Sequence, residues 1–180
     1  MTHVVITGTG LYTPEHAIDN AALVAAFNAW VDSENEHHAG AIARGESEPL
    51  AHSSSEFIEK ASGIKSRYVL DASGILDPQR MRPKLPQRGN DETSTQCEMA
   101  TAAAQQALTT AKVDAADIEL VIVACSNLER AYPAVAVEVQ QALGTSGYGF
   151  DMNVACSSAT FALETAANAI ASGSVKRALV

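Results

Sequence analysis

The segment Phe150-Asp151-Met152-Asn153-Val154-Ala155-Cys156-Ser157-Ser158-Ala159-Thr160 joins a nucleophile to the local pattern that would aim it. A strand-like run leads into Cys156, and small residues that open a helix follow at once. This order predicts a sulfur at a strand-to-helix turn, at the carboxyl end of a strand, where open α/β sheets carry their active sites. A helix N-terminus offers unpaired N–H groups and a partial positive charge, which favour thiolate over thiol. Such a thiolate attacks carbonyl carbon, and the same N–H groups can hold the oxyanion of a thioester intermediate. Ser157, Ser158 and Ala159 are expected to leave room for substrate beside the sulfur. The competing reading is a buried cysteine acting as a small hydrophobe. Spacing alone leaves both open.

The other chemistry-bearing residues point elsewhere. Cys97 sits in an alanine-rich helical pattern and Cys125 ends an apolar run, so both read as structural. The three cysteines form no CxxC pair and no metal-ligand spacing, which argues against a disulfide framework or a zinc site. Free thiols without an export signal read as cytoplasmic. All five histidines precede residue 53, so a cysteine protease is hard to assemble from this chain. Gly8-Thr9-Gly10 after Val4-Val5-Ile6 invites a dinucleotide reading, but Thr13 stands where the third glycine belongs and Pro14 follows. A tight turn after a strand is the expectation there.

The elements that must position Cys156 are legible from residue 91 onward. Thr95-Gln96-Cys97-Glu98 fits a capping box, followed by alanines at helical spacing to Ala111. Glu119 to Ser126 is a continuous apolar run, the mark of a strand buried on both faces in a parallel sheet. Pro133 suits the first turn of a helix that Gly144 would end. Tyr148 to Ala155 reads as a strand, Ser157 to Ser172 as a helix closed by Gly173, and Arg177 to Val180 as the start of one more strand. With Val4 to Gly8 as a first strand near the sheet centre, the expectation is an α/β layered domain with a mainly parallel five-stranded sheet between helix layers. A chain that stops inside a buried strand reads as the first half of a larger subunit.

Composition narrows the function classes. The 180 residues are 47% hydrophobic and 18% charged, with a formal charge of −9. Disorder and a basic nucleic-acid surface are both disfavoured. The longest apolar run is far too short for a membrane span. Charge is unevenly spread, however. Residues 1–59 carry nine acids against Arg44, whereas residues 60–88 hold seven of the twelve basic residues against Asp71 and Asp77. Pro78, Pro83 and Pro86 exclude a regular helix in the second half of that stretch, which reads as a long basic loop.

These residues carry a resemblance. The chain resembles β-ketoacyl-acyl carrier protein synthase III, the initiating condensing enzyme of bacterial fatty-acid synthesis, in the thiolase-like superfamily. The likeness runs from Ile6-Thr7-Gly8-Thr9-Gly10-Leu11-Tyr12-Thr13-Pro14 through Ser62-Gly63-Ile64-Lys65-Ser66-Arg67, Val121 to Ser126 and Ala131-Tyr132-Pro133 to Val154-Ala155-Cys156 and Ala178-Leu179-Val180. It implies a thiolase-like fold, with residues 1–180 as the N-terminal βαβα half of a homodimeric subunit and the C-terminal half absent. It also implies Cys156 as the acyl-accepting nucleophile, with the His and Asn of decarboxylation in the second half. Tyr132 would reach across the dimer interface into the partner's acyl pocket. Acyl-coenzyme A and malonyl-acyl carrier protein would be the substrates, with no metal or redox cofactor.

Two departures from the family stand out. Phe57 and Ala61 occupy the places of a tryptophan and an arginine that hold coenzyme A, so coenzyme A would be held differently or replaced by a carrier protein as donor. Inserts near 30–53 and 71–90 lengthen the chain; the first is expected to be a solvated surface excursion. In the second, Arg80, Arg82, Lys84 and Arg88 are expected to flank the entrance used by acidic acyl carrier protein or coenzyme A phosphates. Beside the condensing enzyme stand two other readings: a superfamily acyltransferase or secondary-metabolite synthase without decarboxylation, and a non-catalytic half-subunit.

Overall fold

A computed structural model describes residues 3–180, which divide into two compact units. One comprises residues up to Tyr12 together with Arg88–Val180, and the other is Thr13–Gln87. No helix among the described residues is long and apolar enough to cross a membrane.

The first unit is built around β3 (Leu120–Ala124), flanked by β4 (Tyr148–Met152) and β5 (Ala178–Leu179) in a parallel sheet of order β4-β3-β5. Leu120, Val121 and Ile122 are each 1% exposed, as a strand covered on both faces requires. Strand alternation divides them. Val121 packs with Cys97 of α5 (Thr95–Ala111) and with Val135, Ala136 and Val139 of α6 (Val135–Leu143). Leu120 and Ile122 face Ala162 and Ala166 of α7 (Ser158–Ala171). Each fully buried aliphatic contributes about 1.5–3 kcal/mol, and this strand supplies three of them to the two cores of the unit. The crossover from β3 to β4 uses α6 and the return past β3 to β5 uses α7. Right-handed crossovers in opposite directions put the two helices on opposite faces.

Local chemistry sets the boundaries. The Ser94 hydroxyl accepts from Cys97 N at 3.1 Å and caps α5, so the cap lies one residue before the expected box. Gly144 and Gly173 follow α6 and α7 with φ of 71° and 79°, as expected of terminating glycines. Pro133 lies two residues before α6 rather than inside its first turn.

The expected first strand is absent. Val4 to Gly8 joins no ladder, and Val5 and Ile6 are 71% and 73% exposed. Both edges of β3 are occupied, and β5 offers a ladder of only two residues. The segment lies instead along α5. A Cβ on Gly8 would stand 2.4 Å from Ala107 O, and one on Gly10 would stand 1.9 Å from Ala103 O. The glycines therefore serve close approach to a helix and not a tight turn. Five strands are present among the described residues, but only three share the parallel sheet.

The other two strands belong to the second unit, where β1 (His16–Asp19) pairs antiparallel with β2 (Ser66–Val69). Helix α1 (Asn20–His37) starts at Asp19, whose carboxylate accepts from Ala22 N at 2.7 Å. Short α2 (Ala39–Ala43) follows. The chain then returns along α1, where the amides of Asn28 and Asn35 each exchange two hydrogen bonds with the backbone of Ser53 and Leu50. The first insert is thus a helix with an extended strap. Helix α3 (Ser55–Ser62) and α4 (Ala72–Ile75) complete the unit, and no helix forms between Leu76 and Ser94, as the prolines require.

Substituting Gly10→Ala is expected to destabilise the first unit by about 1–3 kcal/mol, because helix backbone would have to move. Urea denaturation of the variant and the parent checks this; an unchanged midpoint would mean that the segment does not lie on α5.

Candidate active site

Strands β3 and β4 are parallel neighbours in register, with Ala124 opposite Met152. Their carboxyl-end loops leave toward α6 and α7, on opposite faces of the sheet. That is the arrangement that opens a crevice at the carboxyl edge of an α/β sheet. One loop, residues 125–134, carries Tyr132. The other, residues 153–157, carries Cys156. The sequence placed Cys156 at a strand-to-helix turn, and the sheet brings the two loops to one edge.

Cys156 is exposed, in a single 3-10 turn (Ala155–Ser157) that leads directly into α7. The expected strand is shorter than Tyr148–Ala155, because Asn153 and Val154 leave the ladder and Ala155 opens the turn. Ala155 has φ of 49°, a left-handed conformation that costs a non-glycine residue about 1–2 kcal/mol. The bonds that hold it are local. Asn153 Oδ1 accepts from Ala155 N at 3.3 Å, and Val154 O accepts from Ser157 N at 3.1 Å. Ser158 Oγ accepts from Val154 N and donates to Ala155 O, both at 2.8 Å. None of these bonds uses the Cys156 amide. Ser158 is therefore folded beneath the turn and does not leave the space beside the sulfur that its small size suggested.

The other two cysteines are unlike it. Cys97 is fully buried, and burial pushes its thiol up. Cys125 is half-buried, and burial together with the Asp151 carboxylate pushes its thiol up as well. Raised thiols stay protonated and unreactive at neutral pH, which fits the structural reading of both. Asp151 has a role of its own. Its two oxygens accept from Val135 N and Ala136 N, each at 2.8 Å, and so cap α6, whose own Ala134 has no side chain to do so. Sequence reading missed Asp151 because its helix lies elsewhere in the chain.

Tyr132 is 87% exposed. Its loop is tied down just ahead of it. Glu129 and Gln96 exchange backbone-to-side-chain bonds at 3.2 and 3.3 Å. Arg130 donates to Asn90 O and Glu92 O and lies 4.0 Å from Glu138, which receives the Ser94 hydroxyl at 2.6 Å. A shallow surface concavity between Leu108, Lys112, Val113 and Leu143 lies at the opposite, amino edge of the sheet and touches none of these residues.

In the second unit, Phe57 is 67% exposed on the first turn of α3, and Ala61 is exposed one turn on. The basic loop divides by role. Arg80 donates to Arg82 O and Pro83 O, so its guanidinium closes the loop on itself. Arg82 is exposed and makes no ion pair or side-chain hydrogen bond among the described residues, and Lys84 likewise makes no ion pair among them. Arg88 departs from expectation. It belongs to the first unit, pairs with Glu98 at 2.8 Å and donates to Thr93 O, so it is not part of a free basic patch. Among the described residues no cluster of His, Cys, Asp and Glu could hold a metal.

Comparison with known proteins agrees with this architecture. A model of the 3-oxoacyl-[acyl-carrier-protein] synthase III family matches residues 150–180, the Cys156 turn through β5. A β-ketodecanoyl-[acyl-carrier-protein] synthase from Pseudomonas aeruginosa is 64% identical over 155 residues, covering 86% of this chain and 44% of that protein. A β-ketoacyl-[acyl-carrier-protein] synthase III from Bradyrhizobium diazoefficiens is 34% identical over 177 residues, covering 98% and 41%. The crystal structure of 3-oxoacyl-[acyl-carrier-protein] synthase III from Aquifex aeolicus superposes with a TM-score of 0.66 at 26% identity, over 94% of this chain and 41% of that one. The chain thus spans less than half the length of each of these relatives.

The basic loop depends on one carboxylate. Asp71 accepts from Lys84 N at 2.6 Å, from the Ser73 hydroxyl at 2.7 Å and from Gly74 N at 3.0 Å, and these bonds, Lys84 first, hold it far below the usual carboxylate range. A depressed carboxylate stabilises fully above its unfolded pKa, and that contribution is lost as pH falls through the folded value. Amide exchange at Lys84 should therefore stay slow through about pH 4, where an ordinary carboxylate protonates, and Asp71→Ala should make it fast even at neutral pH. Equal exchange in the two proteins would show that Asp71 does not hold the loop.

Sequence and fold together make the chain similar to the 3-oxoacyl-[acyl-carrier-protein] synthase III enzymes over less than half of their length.

Proposed function

We propose that the protein takes part in a decarboxylative Claisen condensation in fatty-acid synthesis, with Cys156 as the acyl acceptor. The observation that carries this reading is the exposed cysteine on a left-handed turn at the carboxyl edge of β3 and β4. The Cys156 thiolate attacks the carbonyl of an acyl thioester, and the tetrahedral intermediate expels the donor thiol, leaving an acyl-cysteine. Malonyl-acyl carrier protein then loses carbon dioxide. Its enolate carbon attacks the acyl-cysteine, forms the new carbon–carbon bond and returns the cysteine as thiolate. The products are carbon dioxide and a 3-ketoacyl carrier thioester. The thioester carbonyl stabilises the carbanion, so the chemistry draws on no metal or redox cofactor. Two acyl substrates use one cysteine in turn, which gives ping-pong kinetics. No residue of this chain is assigned to the decarboxylation step.

The relative that is 64% identical is named for a ten-carbon ketoacyl product. Condensation adds two carbons, so the donor that fits is an eight-carbon acyl thioester. Tyr132, held out on a clamped loop, is the residue we assign to the acyl pocket of a partner subunit in a homodimer. Phe57 is assigned to the adenine of coenzyme A where coenzyme A is the donor. Phenylalanine stacks over less area than tryptophan, and Ala61 donates nothing, which favours a carrier protein over coenzyme A as donor. Arg82 and Lys84 are the cations we assign to acidic acyl carrier protein, with Arg80 holding the loop that presents them. The reaction belongs in the cytoplasm, whose reducing conditions keep the Cys156 thiol free.

Two measurements test this. Intact mass after incubation with acyl-coenzyme A and acyl-carrier protein should show an acyl adduct, strongest for eight carbons and absent in Cys156→Ser. No adduct from either donor class would overturn the assignment. Double charge reversal, Arg82→Glu with Lys84→Glu, should raise KM for malonyl-carrier protein roughly tenfold at low salt while leaving kcat unchanged. An unchanged KM would remove the loop from the docking surface.

A further inference from the structure

The Cys156 turn rests on a side chain to which the proposed reaction gives no part. Ser158 is 4% exposed, although it lies two residues from an exposed cysteine. Its hydroxyl is fully used: it accepts from Val154 N and donates to Ala155 O, both at 2.8 Å. These two groups lie on either side of the φ bond of Ala155, which is left-handed at 49°. Ala155 directly precedes Cys156, so any relaxation of its φ swings the Cα–Cβ bond that carries the sulfur.

We propose that Ser158 is a positioning residue that locks Ala155 in its left-handed conformation and thereby aims Cys156 at the acyl carbonyl. This rests on the reading of Cys156 as the acyl acceptor. Ser158 touches no substrate and moves no proton. A serine here does what glycine does elsewhere in such turns, because two hydrogen bonds supply what the absence of a Cβ would otherwise supply. Misplacement of a reacting atom by a fraction of an ångström to an ångström lowers the rate without weakening binding. The effect therefore belongs in kcat and not in KM.

The test compares the parent with Ser158→Ala, Ala155→Gly and the double variant, using the full chain. Three quantities are read: acylation rate at saturating donor, half-saturating donor concentration, and the rate of Cys156 alkylation by iodoacetamide across pH. Ser158→Ala should slow saturated acylation by about tenfold or more while shifting half-saturation by less than about twofold. Glycine adopts the left-handed conformation without cost, so Ala155→Gly in the Ser158→Ala background should recover most of the rate while the melting temperature stays low. A purely structural serine would lower the melting temperature and leave both rates intact. Parent-like acylation in Ser158→Ala, or a double variant no faster than Ser158→Ala, overturns the proposal. Where Ser158→Ala alone does not fold, the double variant is compared with Ala155→Gly: rates within about twofold support the proposal, and a tenfold gap overturns it. If the parent is not acylated by any donor, the acyl-acceptor reading fails by itself. The alkylation rates then still decide Ser158, by slowing in Ser158→Ala and recovering in the double variant, or by not changing.

Discussion

The burial of β3 on both faces constrains everything else in its unit. Three consecutive residues, Leu120, Val121 and Ile122, are shut away from water, and strand alternation sends them to opposite sides. Both faces must then be covered by helices. Helices on both faces require crossovers, and crossovers make the neighbouring strands parallel. Parallel strands with crossovers on opposite faces bring two loops to one edge. The Tyr132 loop and the Cys156 turn meet at the carboxyl edge for that reason, although 24 residues separate them in the chain.

Shape at that edge is maintained by polar side chains acting at a distance in sequence. Asp151 caps a helix that begins 16 residues before it, and Glu138 receives the serine that caps α5. Ser158 fastens the turn from the helix that follows it. Asp71 does the same for the basic loop, gathering amides from residues up to 13 positions away. In each case a backbone N–H that secondary structure leaves unpaired is satisfied by a carboxylate or hydroxyl, which avoids the cost of an unmade hydrogen bond. Charge in this protein therefore does much of its work on its own backbone. That is why Arg80 and Arg88 are engaged within the fold and only part of the basic stretch faces outward.

The readable parts of the sequence were those governed by local rules. The helix over Thr95–Ala111, the strand inside Glu119–Ser126, and the glycines after α6 and α7 follow from periodicity and from backbone preferences that neighbours do not override. The unreadable parts depended on long-range partners. Val4 to Gly8 has the composition of a strand, but both edges of β3 are taken at the sheet centre, and the segment packs on α5 instead. Gly8 and Gly10 look like turn residues until the alanine face of α5 is set against them. Helix α1 has only a weak apolar stripe, and its asparagines show their purpose once the strap returns to pair with them.

The sequence by itself determined that Cys156 would stand at a strand-to-helix turn in a layered α/β domain. Strand composition, small helix-opening residues and terminating glycines all act within a few positions of one another. Only the tertiary structure decided that the turn is left-handed at Ala155, that Ser158 lies beneath it, and that the Tyr132 loop shares its edge. Those features arise from hydrogen bonds and packing between residues whose types are ordinary and whose meaning comes from what the fold sets beside them.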